Sequence, residues 1–522
     1  MNFKESRILF IILLVAFLVR FYNFNFPYFT SDEAQLSVRA HSLATTGKDE
    51  LGRPFPLLFN SLTDYKLPVT SYLTAIGAKL FGKNDFGVRI PFILIGVGIV
   101  FLIYQISKNL TDKKEFGIFV SLLAALSPPL ILLSRVPNQI ILLIFGFLLL
   151  FYLLIREKIN LKAVGLAIIL ALSTSKNAWF ITVPYVLVII YGFRSTIDKK
   201  IKLKLSLLAA VLTIAFVGMF LSVPQSKRSL MENNFSIFSD ISIVNTINKL
   251  RGQGVESGLP PVLEKTLFNK SEFLSLGFLN WGSNLNPSIY FGEYDESLFK
   301  VLLIPFIAGA IYLIGRGQRK EKTLLFLPLV FTFPSFFTRH GINGELASLT
   351  SVAIILISGY GFIRLGKKAS LVIFAVVILE LAFILLTLDR GPSWITSITA
   401  DVYAKSTSEK VALSDDIAPD AIHYISWHNP LDISGGFLDI PSPYKFRQTK
   451  IGNIKLIGND DEFYNCVLEK PGYIIASKRD LNEIQTHLNI KDDGSTVEKI
   501  YKDNKGDEVG YLLKPIICIK GF

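Results

Sequence analysis

The feature that most limits this chain is a set of long apolar runs separated by short polar connections. A helix of about 20 apolar residues crosses the hydrocarbon core of a bilayer. It satisfies its own backbone hydrogen bonds there, which few other conformations can do. Such runs fall at 8–24, 86–106, 116–133, 140–155, 161–173, 179–193, 203–223, 298–314, 324–337, 347–363 and 371–388. They predict about eleven transmembrane helices, the 161–173 and 179–193 runs being short. With 51% hydrophobic and 18% charged residues over 522 positions, the expectation is an all-α polytopic membrane protein. The first run has basic flanks, as a signal peptide would. No small-residue cleavage site follows it, so it is expected as a retained span.

The net charge of +12 raises the question of a nucleic-acid partner. The basic residues instead gather in short connections between apolar runs: Lys108/Lys113/Lys114, Arg156/Lys158/Lys162, Arg194/Lys199/Lys200/Lys202/Lys204, Arg316/Arg319/Lys320/Lys322 and Arg364/Lys367/Lys368. With Lys4 and Arg7, these all fall on one side of an alternating topology, which the positive-inside rule makes cytoplasmic. No nucleic acid is expected. The N-terminus is then inside and the C-terminus outside, in the cytoplasmic membrane.

Three long segments are left on the outer face: loops at about 25–85 and 224–297, and a tail. The expected division is a membrane domain over 1–388 and an extracytoplasmic domain over 389–522. In the latter, "KVALSD", "GYIIAS", "TVEKIY" and "VGYLLK" read as short strands and "DLNEIQTHL" as a helix, a small soluble α/β or α+β domain. Both cysteines, Cys466 and Cys518, lie there, so a disulfide and two free buried thiols are both open. A transporter is less favoured, because the spans are mostly clean of polar groups, Glu380 being the main exception, and no inverted repeat of interrupted helices is visible.

The first outer loop begins "FTSDEAQLSVRAHSLATTG". Thr30 can cap a helix with Glu33 at its third position, the T-x-x-E capping box. Leu36, Ala40 and Leu43 give one apolar face, and Gly47 is a suitable terminator. A helix over 31–46 is therefore expected, lying on the membrane with its apolar face down. The cap gives Glu33 a structural task. Asp32 gains only the favourable interaction with the helix dipole, about 0.3–1 kcal/mol. Further along come "DYKLP", with Lys66 ahead of a proline, and "LFGKNDFGVRIPF", leading into the second span.

In that order and spacing, an outer-face "DE", a Y-x-K-P-like step and an "LFG-x-N-x-F-x-x-R" segment resemble the membrane glycosyltransferases of the protein O-mannosyltransferase type. These have the GT-C fold, and the branch that includes the lipid A aminoarabinose transferase is the most similar. The likeness is dense over about 21–153, topological to about 388, and absent in the tail. It implies transfer of a sugar, with inversion, from a polyprenyl-phosphate donor to a lipid, glycan or protein acceptor. An acceptor hydroxyl that attacks an anomeric carbon must lose its proton, which calls for a nearby carboxylate base. By the resemblance that base is Asp32, with Glu33 supporting it. The leaving lipid phosphate gains charge, which cations stabilise. The resemblance assigns that task to Lys66. Arg339 and His340, in "FFTRHGIN", and Arg135 are further candidates by position.

The chain departs from the pattern in two places. Where many relatives carry an aspartate after the third span, "LLSRVPNQIIL" has Asn138, and the lysine step reads K-L-P. Asn138, with Trp281 and Glu293 from the Asn- and aromatic-rich stretch "LNWGSNLNPSIYFGEYDES", is a candidate for sugar or acceptor binding. Lys227 and Arg228 could reach a lipid phosphate nonspecifically. His41, His340, His423 and His428 lack ligand spacing, so no metal or other cofactor is inferred. The competing class is a non-enzymatic transporter or assembly protein for lipid-linked glycans.

Overall fold

The computed structural model describes residues 3–24, 30–61, 64–111, 114–258, 260, 262–263, 271–292, 298–339, 344–387, 394–406, 411–414, 427, 450–451, 454–457, 472–478, 481, 497–502 and 506–516. The order begins α1 (Phe3–Phe21), α2 (Ser31–Thr46), β1 (Phe59–Ser61), β2 (Asp64–Lys66), α3 (Pro68–Phe81) and α4 (Asp85–Leu110). Next come α5 (Lys114–Leu126), α6 (Pro128–Arg135), α7 (Gln139–Leu154), α8 (Leu161–Leu172), α9 (Asn177–Gly192) and α10 (Lys199–Leu221). The second loop holds α11 (Pro224–Asn233), α12 (Ser236–Ser239), α13 (Ile241–Glu256), α14 (Ser271–Ser283) and α15 (Pro287–Phe291). The helices α16 (Leu303–Arg316), α17 (Arg319–Thr332), α18 (Gly344–Leu365), α19 (Lys367–Thr387) and α20 (Trp394–Ser406) follow.

Each expected apolar run falls on a helix or a helix pair. Among the described residues, α4, α10, α18 and α19 are long and apolar enough to cross a membrane by length and composition. The pair α5–α6 makes a fifth as one span bent by 55°, and α7, α8 and α9 are shorter apolar helices. The bend has a local cause. Pro128 and Pro129 supply no amide hydrogens to α5, and a residue before proline leaves the helical region. Ser127 is accordingly extended, and α6 starts afresh with proline in its first turn. The chain is a multi-pass membrane protein.

Two compact units are resolved: Met1–Phe24, Leu57–Thr70 and Arg89–Leu386; and Asn25–Pro56, Ser71–Val88 and Thr387–Phe522. The first is a helical bundle. Its basic ends carry local locks, such as Glu5 of α1 accepting from Lys108 Nζ of α4 at 2.9 Å and from the Tyr104 hydroxyl. Two of its helices, α16 and α18, touch backbone to backbone through Gly309 and Gly361. The short hairpin β1–β2 pairs Phe59 with Lys66, burying Phe59 and leaving the Lys66 side chain exposed.

The second unit contains a six-stranded mixed sheet, with strands β3 (Val411–Ser414), β4 (Lys450–Ile451), β5 (Ile454–Ile457), β6 (Gly472–Ala476), β7 (Val497–Lys502) and β8 (Glu508–Ile516) in the order β4-β5-β3-β6-β8-β7. The central β3 is parallel to β5 and β6, and the remaining pairs are antiparallel. The four quoted strand segments form β3, β6, β7 and β8. Of "DLNEIQTHL", only Leu481 is described. Cys466 and Cys518 also lie outside the described residues. Asp401 of α20 ties that helix to β7 by accepting from Tyr501 at 2.8 Å and Lys499 at 2.6 Å.

Helix α2 has the expected limits, with Thr30 as N-cap and Gly47 in the left-handed region at φ 70° as terminator. Its apolar face does not lie free for a membrane. Ala34 and Val38 are buried with Ala78, Val88 and Trp427 in one apolar cluster of the second unit. The Trp427 ring nitrogen donates to Asp85 at 3.0 Å in the same place.

Candidate functional site

In the second unit, the start of α2 separates two adjacent acids. Thr30 Oγ accepts from the Glu33 amide at 3.2 Å, the forward half of the capping box. The helical turn then carries Glu33 inward, to 1% exposure, and leaves Asp32 exposed. Arg39, also buried on α2, forms a forked pair with Glu50, with contacts of 2.5, 2.8 and 3.0 Å. Asp49 closes the next turn by accepting from the Leu51 and Arg53 amides at 3.1 and 2.8 Å. The loop after α2 is thus tied to it, and the acid at its head is presented by a fixed support. Burial, and then Lys83, holds His41 on the same helix below the ordinary imidazole range.

In the first unit, Lys66 stands at the end of β2. The Val69 amide just beyond it donates to the Ser173 carbonyl at 3.4 Å, tying the strand exit to the end of α8. The Lys66 ammonium lies within electrostatic reach of the Glu345 carboxylate, in the first turn of α18. Glu345 accepts from Gln139 Nε2 at 3.0 Å, with Ser175 and Asn177 close by. Around it, Asn234 donates to Asn177 at 3.3 Å and Lys176 reaches Ser229 at 3.5 Å. Three helices, α7, α9 and α18, begin here. A helix N-terminus carries partial positive charge and unpaired amide hydrogens, so this end of the bundle suits an anion.

A second basic group lies deeper. Arg20, Arg89 and Arg135 are all essentially buried. Arg135 Nη2 donates to the Val19 and Tyr22 carbonyls, both at 2.8 Å, and so closes the C-terminal end of α1. Arg20 Nη1 donates to Ala16 and Ala125 at 3.0 and 3.1 Å, and Arg89 Nη1 donates to Phe24 at 2.7 Å. At Val19 and Ala125 a guanidinium thereby satisfies a carbonyl that a helix end leaves unpaired.

Residues 65–219 match the family model described as dolichyl-phosphate-mannose-protein mannosyltransferase. That stretch contains Lys66, Arg135, Gln139, Ser175 and Asn177. The bundle is similar to crystal structures of the Archaeoglobus fulgidus oligosaccharyltransferase. The apo form is 11% identical, covering 91% of this chain and 70% of that one, with a TM-score of 0.53. The complex with Zn and sulfate is 12% identical, covering 97% and 72%, with a TM-score of 0.50. The chain has the GT-C fold of membrane glycosyltransferases. In sequence, this GT-C chain is 27% identical over 242 residues to YkcB of Bacillus subtilis (strain 168), provisionally named a mannosyltransferase. That match covers 44% of this chain and about a third, 32%, of the relative's length.

The remaining candidates of the GT-C chain occupy defined places. Asn138 caps α7: its Oδ1 accepts from the Ile141 amide at 3.0 Å, and its Nδ2 donates to the Leu133 and Val136 carbonyls at 2.8 and 3.1 Å. The amide that stands where relatives have an acid is therefore engaged in holding the α6–α7 turn. Trp281 Nε1 donates to the Leu329 carbonyl and the Thr332 hydroxyl, both at 3.1 Å, pinning α14 to α17. Arg339, 56% exposed, pairs with Asp240 at 2.5 Å, and its amide donates to Ser236 Oγ at 2.7 Å. His340 and Glu293 lie outside the described residues. Among the described residues, no group of three or more His, Cys, Asp or Glu side chains converges as a metal-ligand set.

The Asp240–Arg339 pair gives a pH prediction. The Ser242 hydroxyl, donating at 2.7 Å, holds the Asp240 carboxyl below its ordinary range, and Arg339 adds to this. A depressed carboxylate pKa contributes order above the unfolded pKa of about 3.9 that is lost as pH falls through the lower folded value. Amide protection over 236–244 should hold from pH 8 to about 5 and fall below about 4. Protection that persists at pH 3 would show that the pair does not fasten this segment.

Glu345 and its partners were not anticipated from the sequence. A lone Glu in the first turn of a helix reads as a dipole complement, and Gln139, Ser175 and Asn177 read as ordinary starts of spans. Their convergence is a product of packing between helices far apart in the chain.

Proposed function

We propose that the chain is an inverting glycosyltransferase that moves a sugar from a polyprenyl-phosphate carrier to a lipid, glycan or protein acceptor at the outer face of the cytoplasmic membrane. The observation that carries the reading is the match of residues 65–219 to a family whose description names transfer from a lipid phosphate. That description also makes a hexose, mannose, the first sugar to test. The fold supports the reading, and so does the anion-suited end of the bundle beside Lys66. The membrane part over 1–388 carries the reaction, and the part over 389–522 serves outside.

The roles follow from the bonds that change. Asp32 accepts the proton of the acceptor hydroxyl as its oxygen bonds to the anomeric carbon. The bond from that carbon to the phosphate oxygen breaks, and the electron pair leaves with the lipid phosphate. Donor phosphodiester and acceptor alcohol become a glycoside and a phosphate monoester, with the proton on Asp32. Lys66 offsets the charge that grows on the phosphate. Asp32 owes its place in this scheme to the order of motifs, and its exposure on a capped helix is compatible with it. Glu33, buried, supports the helix start.

Purified protein incubated with radiolabelled polyprenyl-phosphate sugars and membrane extract should label a lipid, glycan or protein fraction. If no such donor is consumed, the reading fails. Lys66→Met should raise donor KM about tenfold, the worth of one hydrogen bond to a charged group. An unchanged donor KM would leave Lys66 as a turn residue.

A further inference from the structure

We propose that Trp427, carried by the tail, is a positioning residue for the Asp32 helix: it fills the seam where α2 meets α3 and the first turn of α4, and so couples the tail to the placement of the base. This rests on the reading of Asp32 as the base given above. Every residue of the seam belongs to the second compact unit.

The seam is apolar inside and polar at its edge. Ala34 and Val38 of α2, Ala78 of α3 and Val88 of α4 are buried, and Trp427, 4% exposed, completes their cluster. The others have small side chains, so the indole supplies most of the apolar volume. A buried aromatic ring removes about 150–250 Å² from water. The polar edge of the ring is fixed as well. Trp427 Nε1 donates to Asp85 Oδ1 at 3.0 Å, and Lys83 Nζ stands 5.7 Å from the ring centroid, within cation–π range. Lys83, Asp85 and Val88 all belong to "LFGKNDFGVRIPF". The proposed reaction gives these three residues no task, and here they form the socket for a residue of the tail.

The socket bears on Asp32 through the rotation of α2. Ala34 and Val38 lie one turn apart, on the face that Trp427 covers. Asp32 precedes Ala34 by two residues, about 200° round the helix, and is exposed. The Arg39–Glu50 pair and the Asp49 turn join α2 to the loop that follows it. They turn with the helix and do not fix its roll. The Trp427 contact reaches α3 and α4, and does fix it. A carboxylate about 5–6 Å from the helix axis moves about 1 Å for a roll of about 10°. A misplacement of about 1 Å can cost about 10²-fold in rate. Trp427 thus acts through α2 rather than on a reacting atom.

The test uses the full-length protein, single turnovers of a radiolabelled polyprenyl-phosphate mannose, and amide exchange. In Trp427→Ala, protection over 31–40 should fall about a hundredfold, near the low end of what truncating a buried Trp costs. The single-turnover rate constant should fall about 10- to 100-fold, with half-saturation by donor changed less than about twofold. Trp427→Phe keeps a ring in the socket without its N–H, and should recover most of the rate. Where Trp427→Ala does not fold, Trp427→Leu, which keeps part of the volume, takes its place in every arm. In an Asp32→Asn background there is no base to misplace, so Trp427→Ala should lower the rate constant less than about twofold. A merely structural Trp427 would shrink the folded fraction, lowering the amplitude of the turnover and leaving its rate constant, and that result overturns the inference. So does unchanged protection over 31–40, a Phe variant as slow as Ala, or an equal fall in both backgrounds. A wild-type rate in Asp32→Asn, or a wild type that uses no polyprenyl-phosphate sugar, counts against the underlying reading instead, and the exchange data still decide whether Trp427 holds α2.

Discussion

Asp32→Asn should fold, insert and bind donor as wild type does, and should transfer sugar about 10²–10⁴-fold more slowly, the usual worth of a positioned general base. The separation of folding from chemistry follows from the local structure. Thr30, not Asp32, caps α2, and Gly47 ends it. The Asp32 side chain is exposed, so its exchange for an isosteric amide opens no cavity. The change removes one favourable interaction with the helix dipole, about 0.3–1 kcal/mol. Thr30→Ala is the matched control. It removes the cap, costs about 1 kcal/mol, and leaves the carboxylate in place, so its effect should appear in thermal stability more than in turnover. Single-turnover rates with a radiolabelled donor, set beside unfolding midpoints, distinguish the two. A wild-type rate in Asp32→Asn removes Asp32 as the base, whatever else the chain proves to do.

How much was readable in the sequence depended on how local the determining forces are. The apolar helices were readable because an apolar run that satisfies its own backbone needs no partner to declare itself. The limits of α2 were readable for the same reason: Thr30 and Gly47 act on amides and carbonyls within one turn. The fate of its apolar face was not. Ala34 and Val38 find Ala78, Val88 and Trp427, the last about three quarters of the chain length away. Periodicity shows that a face is apolar but not what covers it. The same limit hid the neighbourhood of Lys66. Gln139, Asn177 and Glu345 each stand at the start of a different helix, and no spacing rule joins them. Asn138 was noticed for a chemical reason, the missing acid of its relatives. The structure adds a mechanical one, since an asparagine caps α7 and ties the preceding turn at once. Arg135, a phosphate candidate by position, is buried and closes the end of α1.

The largest expected loss of stability lies away from any charged residue, where α16 meets α18. A Cβ added at Gly361 would stand 1.8 Å from the Pro305 carbonyl oxygen and 2.6 Å from its carbon. One added at Gly309 would stand 2.1 Å from the Ile357 carbonyl oxygen and 3.0 Å from the Gly361 amide. The obstructing atoms are backbone, so no rotamer change relieves them, and the two helices would have to part. Membrane helices gain little from hydrophobic burial against one another, because lipid is equally apolar. Close approach through small residues supplies the attraction instead. Gly361→Val should therefore cost more than the roughly 1–3 kcal/mol of ordinary overpacking, and Gly309→Val a similar amount. Gly315, on the same α16, has open space where its Cβ would be. Gly315→Ala should be neutral or stabilising by up to about 1 kcal/mol, as alanine is the better helix former. Thermal unfolding in detergent would show the contrast, and equal midpoints for Gly361→Val and Gly315→Ala would refute the close crossing.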